Sequence, residues 1–297
     1  MSVFHTAICA AGATNSIYRR AKSDIWLAIP PALCACRMEY SVNNIYVVGM
    51  GPGEESMMTQ QAIDALEASD VIIGYTVYLN LLGERFADKE LLSTPMKKER
   101  ERCIMCFEKA HEGKKVAMIC SGDAGVYGMA SLMLELGKNY PDCDITVIPG
   151  ITAASSGAAV LGAPINHDFC VISLSDLLTP WELIERRLAA AARGDFAIVL
   201  YNPSSHKRAD YLKRACTILM EHGVTADRAC GYVENIGREN TKAVTLTLGE
   251  LMNTSVNMFT TVFIGNSQSE IIDGRLVTKR GYDIEGIHNN ISSDKQQ

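Results

Sequence analysis

The chain has few aromatic residues, no excess of positive charge and no long apolar run, and each shortage excludes a class of protein. Only 7% of its 297 residues are aromatic, which argues against a lectin-like β-sandwich. The 28 basic residues are outnumbered by 34 acidic ones, giving a net charge of −6 at pH 7. Long-range attraction to nucleic acid is therefore not expected. No uninterrupted apolar run approaches the roughly 20 residues of a transmembrane helix, so we expect no membrane partner.

The remaining composition is typical of an α/β enzyme with a large core. Hydrophobic residues make up 47% of the chain and charged residues 21%, so the chain is not expected to be disordered as a whole. The ten cysteines are scattered, and several, such as Cys120 and Cys170, lie in apolar segments. We interpret them as buried thiols of a reduced, cytoplasmic protein.

One cysteine pair has the spacing of metal ligands. Cys103 and Cys106 form a CxxC, but the pair lies in a helical pattern and no second CxxC accompanies it. A structural zinc site of this kind needs four ligands. Core packing is therefore the favoured interpretation, a metal or cluster site is the alternative, and we expect no bound metal.

Residues 1–43 differ from the rest of the chain. A basic stretch at 19–22 precedes an apolar one at 25–29, and a weak imitation of a lipoprotein cleavage site follows. Against a secretory signal, the basic residues begin late and two prolines at 30–31 interrupt the apolar stretch. We expect a disordered or mis-started extension, with Met38 as an alternative start.

From Asn44 onward, apolar runs of strand length alternate with segments of helical periodicity. This alternation indicates a largely parallel sheet. The strands predicted in the first half are 45–48, 71–73, 115–120 and 145–148, and the helices are 59–68, 97–111, 128–138 and 153–160.

The rhythm breaks near Pro164, and we place a domain boundary there. The expected domains are 44–163 and 164–283, followed by a polar tail at 284–297. In the second domain the predicted strands are 170–174, 196–200, 230–233, 243–246 and 260–264, and the helices are 180–192 and 208–221. The last two strands are short, which suits a mixed sheet with antiparallel pairing.

The glycine-rich segment 49–53 (Gly-Met-Gly-Pro-Gly) follows the first strand and must be tested as a dinucleotide-binding loop. Pro52 has no N–H to offer a pyrophosphate, and Glu54 stands where that motif has its third glycine. No carboxylate closes the second strand, where a ribose would bind. These departures disfavour a dinucleotide-binding protein.

A second loop, 121–128 (Ser-Gly-Asp-Ala-Gly-Val-Tyr-Gly), follows the third strand. Its three glycines favour close approach of the backbone to a ligand, and the alternative is a tight turn capped by Asp123. Open α/β sheets bind ligands at this edge, and a cationic or amino-bearing ligand would suit Asp123. A third turn, 149–154, brings small residues to the same edge.

Together these segments resemble a known family. The order GMGPG, SGDAGVYG and PGITAASSGAAVLGAPI resembles the tetrapyrrole methylase superfamily, the class III S-adenosylmethionine-dependent methyltransferases. The blocks HDFCVISLSDLLTPWELIERRL, DFAIVLYNPSSHKR and GYVENIGREN are similar to the precorrin-3B C-17 methyltransferases of cobalamin biosynthesis. The resemblance extends from about Asn44 to Tyr282.

The resemblance implies an α/β fold of two domains with S-adenosylmethionine in the cleft between them, and S-adenosylhomocysteine as product. It also implies a homodimer. The one departure within the second loop is Ala124, where many relatives have proline. The positions that match cofactor-binding residues of the family are Pro52, Ser121, Gly122, Asp123, Val126, Thr152, Ala153, Asn202, Asn235, Ile236, Thr260 and Thr261.

The activity implied is methylation of carbon 17 of precorrin-3B, or of its cobalt-containing counterpart, with ring contraction to precorrin-4. The alternative is another methyltransferase of the superfamily that acts on a different precorrin carbon or on ribosomal RNA. Ring contraction calls for acid–base assistance, for which Asp176, His167 and Tyr75 or Tyr78 are weak candidates. A turn or capping role is the alternative for Asp176 and His167.

The macrocycle carries many carboxylates, so we expect cationic side chains along its binding site. Solvated helix faces are the alternative interpretation of such charges. The available clusters are 97–98, Arg100, Arg102, 186–187 and 207–208.

Overall fold

The structure is a computed structural model that describes residues 43–205 and 208–282. The expectations about residues 1–42 and about the tail 284–297 therefore lie outside the described residues. Among the helices of the described ranges, none is both long and apolar enough to cross a bilayer.

Five parallel strands form the first sheet, in the order β3-β2-β4-β1-β5. These strands are β1 (Asn44–Gly49), β2 (Val71–Tyr75), β3 (Glu90–Thr94), β4 (Val116–Cys120) and β5 (Asp144–Ile148). The helices of this half are α1 (Gln60–Ala68), α2 (Thr76–Leu79), α3 (Glu99–His111) and α4 (Ala130–Gly137). Strands β1 and β4 are buried along their whole length, as expected for interior strands covered on both faces.

The four strands predicted for this half are confirmed, whereas β3 was missed. Strand β3 lies at the edge of the sheet, and its Leu91 is 44% exposed, so the segment lacks the apolar run of a buried strand. Helix α3 begins at Glu99 and not at the predicted position 97. Lys97 has φ of 67°, a left-handed conformation that a right-handed helix excludes.

The second half begins with α5 (Ala153–Leu161) and contains a mixed sheet of the order β10-β9-β11-β8-β7. Its elements are β6 (Gly162–Ala163), β7 (Phe169–Ser173), α6 (Trp181–Arg193), β8 (Ala197–Tyr201), α7 (Tyr211–Glu221), β9 (Ala229–Glu234), β10 (Lys242–Thr247), α8 (Leu248–Leu251), β11 (Thr260–Ile264), β12 (Ser269–Ile272) and β13 (Arg275–Thr278). Only the β7–β8 pair of the mixed sheet is parallel. The expected antiparallel pairing of the later strands is thus confirmed.

A small third sheet, β12-β13-β6, completes the second half. The pairing of β13 with β6 is parallel, so the last described strand returns to the segment directly after α5. The proposed boundary between positions 163 and 164 falls directly after β6.

Each main sheet has its own apolar core. Helices α6 and α7 pack on one face of the mixed sheet, with Leu188 and Leu219 fully buried, while α5 packs against β9 and β11. In the first half, Cys103 and Cys106 are fully buried beside Phe107. The CxxC therefore contributes to core packing, which was the favoured interpretation of its spacing.

Candidate functional site

A cavity of about 820 Å³, including its open mouth, lies where loops from both main sheets meet. Its wall comes from α2, from the segments that follow β1, β4, β5 and β9, from the end of β8 and the residue after it, and from the start of β11 with the two residues before it. All twelve residues that the family resemblance assigns to the cofactor, from Pro52 to Thr261, line this cavity. Six residues that were not assigned also line it, namely Tyr78, Tyr127, Tyr201, Arg238, Met258 and Phe259.

The first two glycine loops, which both contribute residues to the cavity wall, are hydrogen-bonded to each other. The N–H of Gly51 donates to the carbonyl of Gly122 over 3.0 Å, and the N–H of Gly122 donates back over 2.7 Å. Both glycines have positive φ, 78° and 71°, which side-chain-bearing residues rarely adopt. Glycine is thus required here by backbone geometry, in addition to any approach of a ligand.

Asp123 joins the second loop to the third turn. One carboxylate oxygen accepts the N–H groups of Gly125 (2.8 Å) and Val126 (3.1 Å), and the other accepts that of Gly150 (3.0 Å). Charge-assisted hydrogen bonds of this type are strong. The carboxylate expected to suit a cationic ligand is therefore engaged in fixing the backbone around the cavity.

Tyr127 connects the second loop to the mixed sheet. Its φ is 55°, and its hydroxyl donates to the carbonyl of Val171 and accepts the N–H of Ser173, both over 3.1 Å. The phenol thus satisfies backbone groups of β7. The centroid of its ring lies 5.6 Å from that of Tyr201, so one aromatic side chain from each half of the chain contributes to this wall.

Tyr201 ends β8 and contacts the N-terminus of α5. Its hydroxyl lies 2.5 Å from the hydroxyl of Thr152 and accepts the N–H of Ala154 over 2.7 Å. The pKa of Tyr201 is raised above its ordinary value, chiefly by burial. The phenol therefore stays protonated at neutral pH and satisfies an N–H of the first helical turn.

Asn202 and Asn235 follow β8 and β9, and both have φ of 53°. Asparagine tolerates this left-handed conformation better than most residues. The side-chain amide of Asn202 donates to the hydroxyl of Ser173 over 2.9 Å. Asn235 forms its hydrogen bonds through its backbone, and within the described residues its side-chain amide has no protein partner. Asn235 thus offers the cavity a free donor and a free acceptor.

Arg238 and Tyr78 complete the wall from opposite halves of the chain. Arg238 follows β9 and is partly buried, and its guanidinium carbon lies 5.0 Å from the centroid of the Phe259 ring. Tyr78 belongs to α2 and contacts Tyr75 edge-to-face, with 5.3 Å between ring centroids. Burial raises the pKa of Tyr78 and lowers that of Arg238. Arg238 was not predicted from the sequence, because it is not part of a cluster of basic residues.

The candidate acid–base residues Tyr75, His167 and Asp176 do not line the cavity. Asp176 accepts the hydroxyl of Tyr211 over 2.6 Å and pairs with Arg208 over 3.1 Å, so it organises the loop after β7. A ring nitrogen of His167 accepts the N–H of Asp168 over 2.9 Å, as its turn interpretation predicts.

The charge clusters also lie outside the cavity wall, as far as the described residues show. Arg102 is buried, and it donates to the hydroxyl of Thr94 over 2.8 Å and to the carbonyl of Pro95 over 3.4 Å. It therefore supports α3. Position 207 lies outside the described residues.

Comparison with known proteins identifies the family to which this architecture belongs. The sequence profile of the tetrapyrrole (corrin/porphyrin) methylases matches residues 44–252, a segment that contains five strands of one sheet, most of the other and the greater part of the cavity wall. The chain belongs to this family. The expected α/β fold of the class III methyltransferases is therefore confirmed.

Among similar tetrapyrrole methylases, the probable cobalt-factor III C(17)-methyltransferase of Salmonella typhimurium is 45% identical over 237 residues. The match covers 80% of this chain and 98% of that protein. The precorrin-3B C(17)-methyltransferase of Sinorhizobium sp is 36% identical over 233 residues, 76% of this chain and 91% of the relative. The crystal structure of the methyltransferase CobJ superposes with a TM-score of 0.73 at 34% identity, covering 79% of this chain and 99% of that one.

Proposed function

We propose that the protein is an S-adenosylmethionine-dependent methyltransferase that methylates carbon 17 of a precorrin-3-type macrocycle, with ring contraction, in cobalamin biosynthesis. The observation that carries the proposal is the convergence of all twelve family-matched residues on one cavity, in a chain whose full-length relatives are named for this activity.

The residues of the cavity wall fit the proposed cofactor in their chemistry. The wall combines apolar groups, such as those of Pro52, Val126 and Ile236, with hydroxyl and amide groups such as those of Ser121 and Asn235. A nucleoside with an amino-acid tail needs both apolar contacts and a few placed donors and acceptors. We propose the twelve lining positions as its binding residues.

The protein itself has to align the two reactants and exclude water from the cavity. S-adenosylmethionine, when bound, supplies an electrophilic methyl group on a sulfonium. The fixed backbone of the Asp123 loop and the two tyrosine rings, Tyr127 and Tyr201, hold the cavity's shape. Such positioning supplies much of the rate enhancement when two reactants must meet in line. The nucleophile belongs to the substrate, so no nucleophilic side chain is required for the methyl transfer.

We propose the cobalt-containing macrocycle as the preferred substrate. The relative named for cobalt-factor III shares a larger fraction of its residues with this chain than the relative named for precorrin-3B. Turnover of the two macrocycles under identical anaerobic conditions tests this preference. A higher kcat/KM for the cobalt-containing form is expected, and a higher value for the metal-free form would overturn it.

A cytoplasmic homodimer, divided into domains 44–163 and 164–283, is also part of the proposal, because the family resemblance implies it. Analytical ultracentrifugation tests the dimer, and a single species of monomer mass at micromolar concentration would refute it. Cell fractionation tests the location.

Calorimetry tests the cofactor directly. The protein should bind S-adenosylmethionine and S-adenosylhomocysteine and should not bind NADH, because Pro52 and Glu54 remove features of a dinucleotide loop. Binding of NADH, with neither sulfur compound bound, would contradict the proposal.

A further inference from the structure

Arg238 is held in place by its own loop and by an aromatic ring. Its N–H donates to the carbonyl of Asn235 over 3.0 Å, and its carbonyl accepts the hydroxyl of Thr241 over 2.9 Å. Gly237, just before it, has φ of 64°, which turns the chain towards the first glycine loop. A Cβ added at Gly53 would lie 1.8 Å from the Gly237 carbonyl oxygen and 2.9 Å from Cγ of Arg238. The arginine therefore occupies a tightly fixed junction of two loops.

The guanidinium of Arg238 has no carboxylate partner. None of the ion pairs among the described residues includes it, and no described side chain accepts a hydrogen bond from it. Arg208 and Arg228, by comparison, are paired with Asp176 and Asp195. A partly buried cation without a partner is costly, and the ring of Phe259 compensates only part of that cost.

No acidic side chain of the described cavity wall is free to pair with Arg238. Among the residues that the structure describes, Asp123 is the one acidic residue of the wall, and both of its oxygens accept backbone N–H groups. Arg238 is likewise the one lysine or arginine of the described wall. Its charge is therefore available to a ligand.

Tyr78 supplies a second donor beside this charge. It lines the same cavity, lies within electrostatic reach of Arg238, and its hydroxyl has no hydrogen-bond partner among the described residues. A half-buried phenol that stays protonated can donate a hydrogen bond to an anion.

We propose that Arg238, assisted by the hydroxyl of Tyr78, binds a carboxylate of a ligand in the cavity. Guanidinium groups bind carboxylates through two parallel hydrogen bonds. The inference rests on the proposed function, which offers two sources of that carboxylate: the amino-acid group of the cofactor and the peripheral acid side chains of the macrocycle.

Calorimetry with two cofactor fragments separates these sources. S-adenosylhomocysteine carries the amino-acid carboxylate, whereas 5′-methylthioadenosine lacks it. If Arg238 binds the cofactor, Arg238→Gln weakens S-adenosylhomocysteine binding roughly 10- to 100-fold, the range for a lost charge-assisted hydrogen bond, and leaves methylthioadenosine binding unchanged. If it binds the macrocycle, both affinities stay unchanged and the KM for the macrocycle rises by a similar factor.

Three further variants make the result decisive. Arg238→Lys keeps the charge and should retain part of the affinity, and Tyr78→Phe should produce a smaller loss on the same ligand. Arg193→Gln removes an exposed arginine that is not part of the cavity wall and should change nothing. The inference would be overturned if Arg238→Gln melts like the wild type and changes the affinity for S-adenosylhomocysteine, the affinity for methylthioadenosine and the KM for the macrocycle by less than twofold each. A wild-type protein that binds neither fragment would instead contradict the proposed function.

Discussion

The hydroxyl of Tyr201 lies 2.5 Å from the hydroxyl of Thr152, and this contact joins the mixed sheet to the N-terminus of α5. The same phenol accepts the N–H of Ala154. Thr152 and its neighbour Ala153 line the cavity, as does Tyr201. The position of the third turn therefore depends on a side chain from the end of β8.

Replacing Tyr201 by phenylalanine should lower both the stability of the protein and its affinity for the cofactor. Two hydrogen bonds are lost, and the N–H of Ala154 is left without its partner. We expect the free energy of unfolding to fall by about 1–2 kcal/mol, with weaker S-adenosylhomocysteine binding. Urea unfolding and calorimetry measure the two effects. Tyr282→Phe, at a position 78% exposed, is the control, and equal behaviour of the two variants would contradict the assigned role.

Asp123→Asn should loosen the second loop while the protein remains folded. The amide can still accept from Gly125 and Val126, but its NH₂ group then faces the N–H of Gly150, donor against donor. We expect a loss of about 1–3 kcal/mol in unfolding free energy and weaker cofactor binding. The exposed Asp88 supplies the matched variant Asp88→Asn. Wild-type affinity and stability in Asp123→Asn would refute this account of the loop.

Gly53→Ala should separate the first loop from the loop after β9. The added Cβ would lie 1.8 Å from the carbonyl oxygen of Gly237, so the backbone must move. We expect a loss of at least about 2 kcal/mol in unfolding free energy, together with reduced cofactor affinity. Gly113→Ala is the control, because nothing lies within 4 Å of that position and only its positive φ costs about 1 kcal/mol. Equal stability of the two variants would be the contradictory result.

The buried thiols should make stability fall at alkaline pH. Burial raises the pKa of both Cys103 and Cys216 to about 12, against an ordinary value of 9.0. Above pH 9 the unfolded chain releases these protons while the folded protein retains them, so the unfolding free energy decreases as pH rises. Each thiol contributes at most about 1.4 kcal/mol per pH unit. Urea unfolding between about pH 8 and pH 10 measures the slope, and the double variant Cys103→Val/Cys216→Val should show a shallower one. Identical slopes would exclude this cause.

The part of the cavity wall that comes from the first half could be predicted from short motifs directly after strands, whereas the individual cofactor positions came from the family resemblance. Pro52, Gly122 and Thr152 follow β1, β4 and β5, and parallel strands bring their carboxyl ends to one edge. Asn202 and Asn235 were assigned by the family resemblance alone. The edge strand β3 was not predictable from the sequence, because exposed residues such as Leu91 break its apolar pattern.

The partners of individual side chains could not be predicted. Asp123 and Gly150 are 27 residues apart, so no local pattern reveals that the carboxylate is engaged. Tyr127 lies within a recognised motif, yet its bond to Val171 joins residues 44 positions apart. Arg238 carries no signature in sequence, because what distinguishes it is the absence of a carboxylate among its neighbours in the fold.

The position of the transferred methyl group tests the central claim most directly. The protein should be incubated anaerobically with the cobalt-containing precorrin-3-type macrocycle and S-adenosylmethionine carrying a ¹³C-methyl group, and the product examined by NMR and mass spectrometry. We expect one labelled methyl group on carbon 17 of a ring-contracted macrocycle. A label on another carbon, or no labelled macrocycle from either the cobalt-containing or the metal-free substrate, would contradict the account.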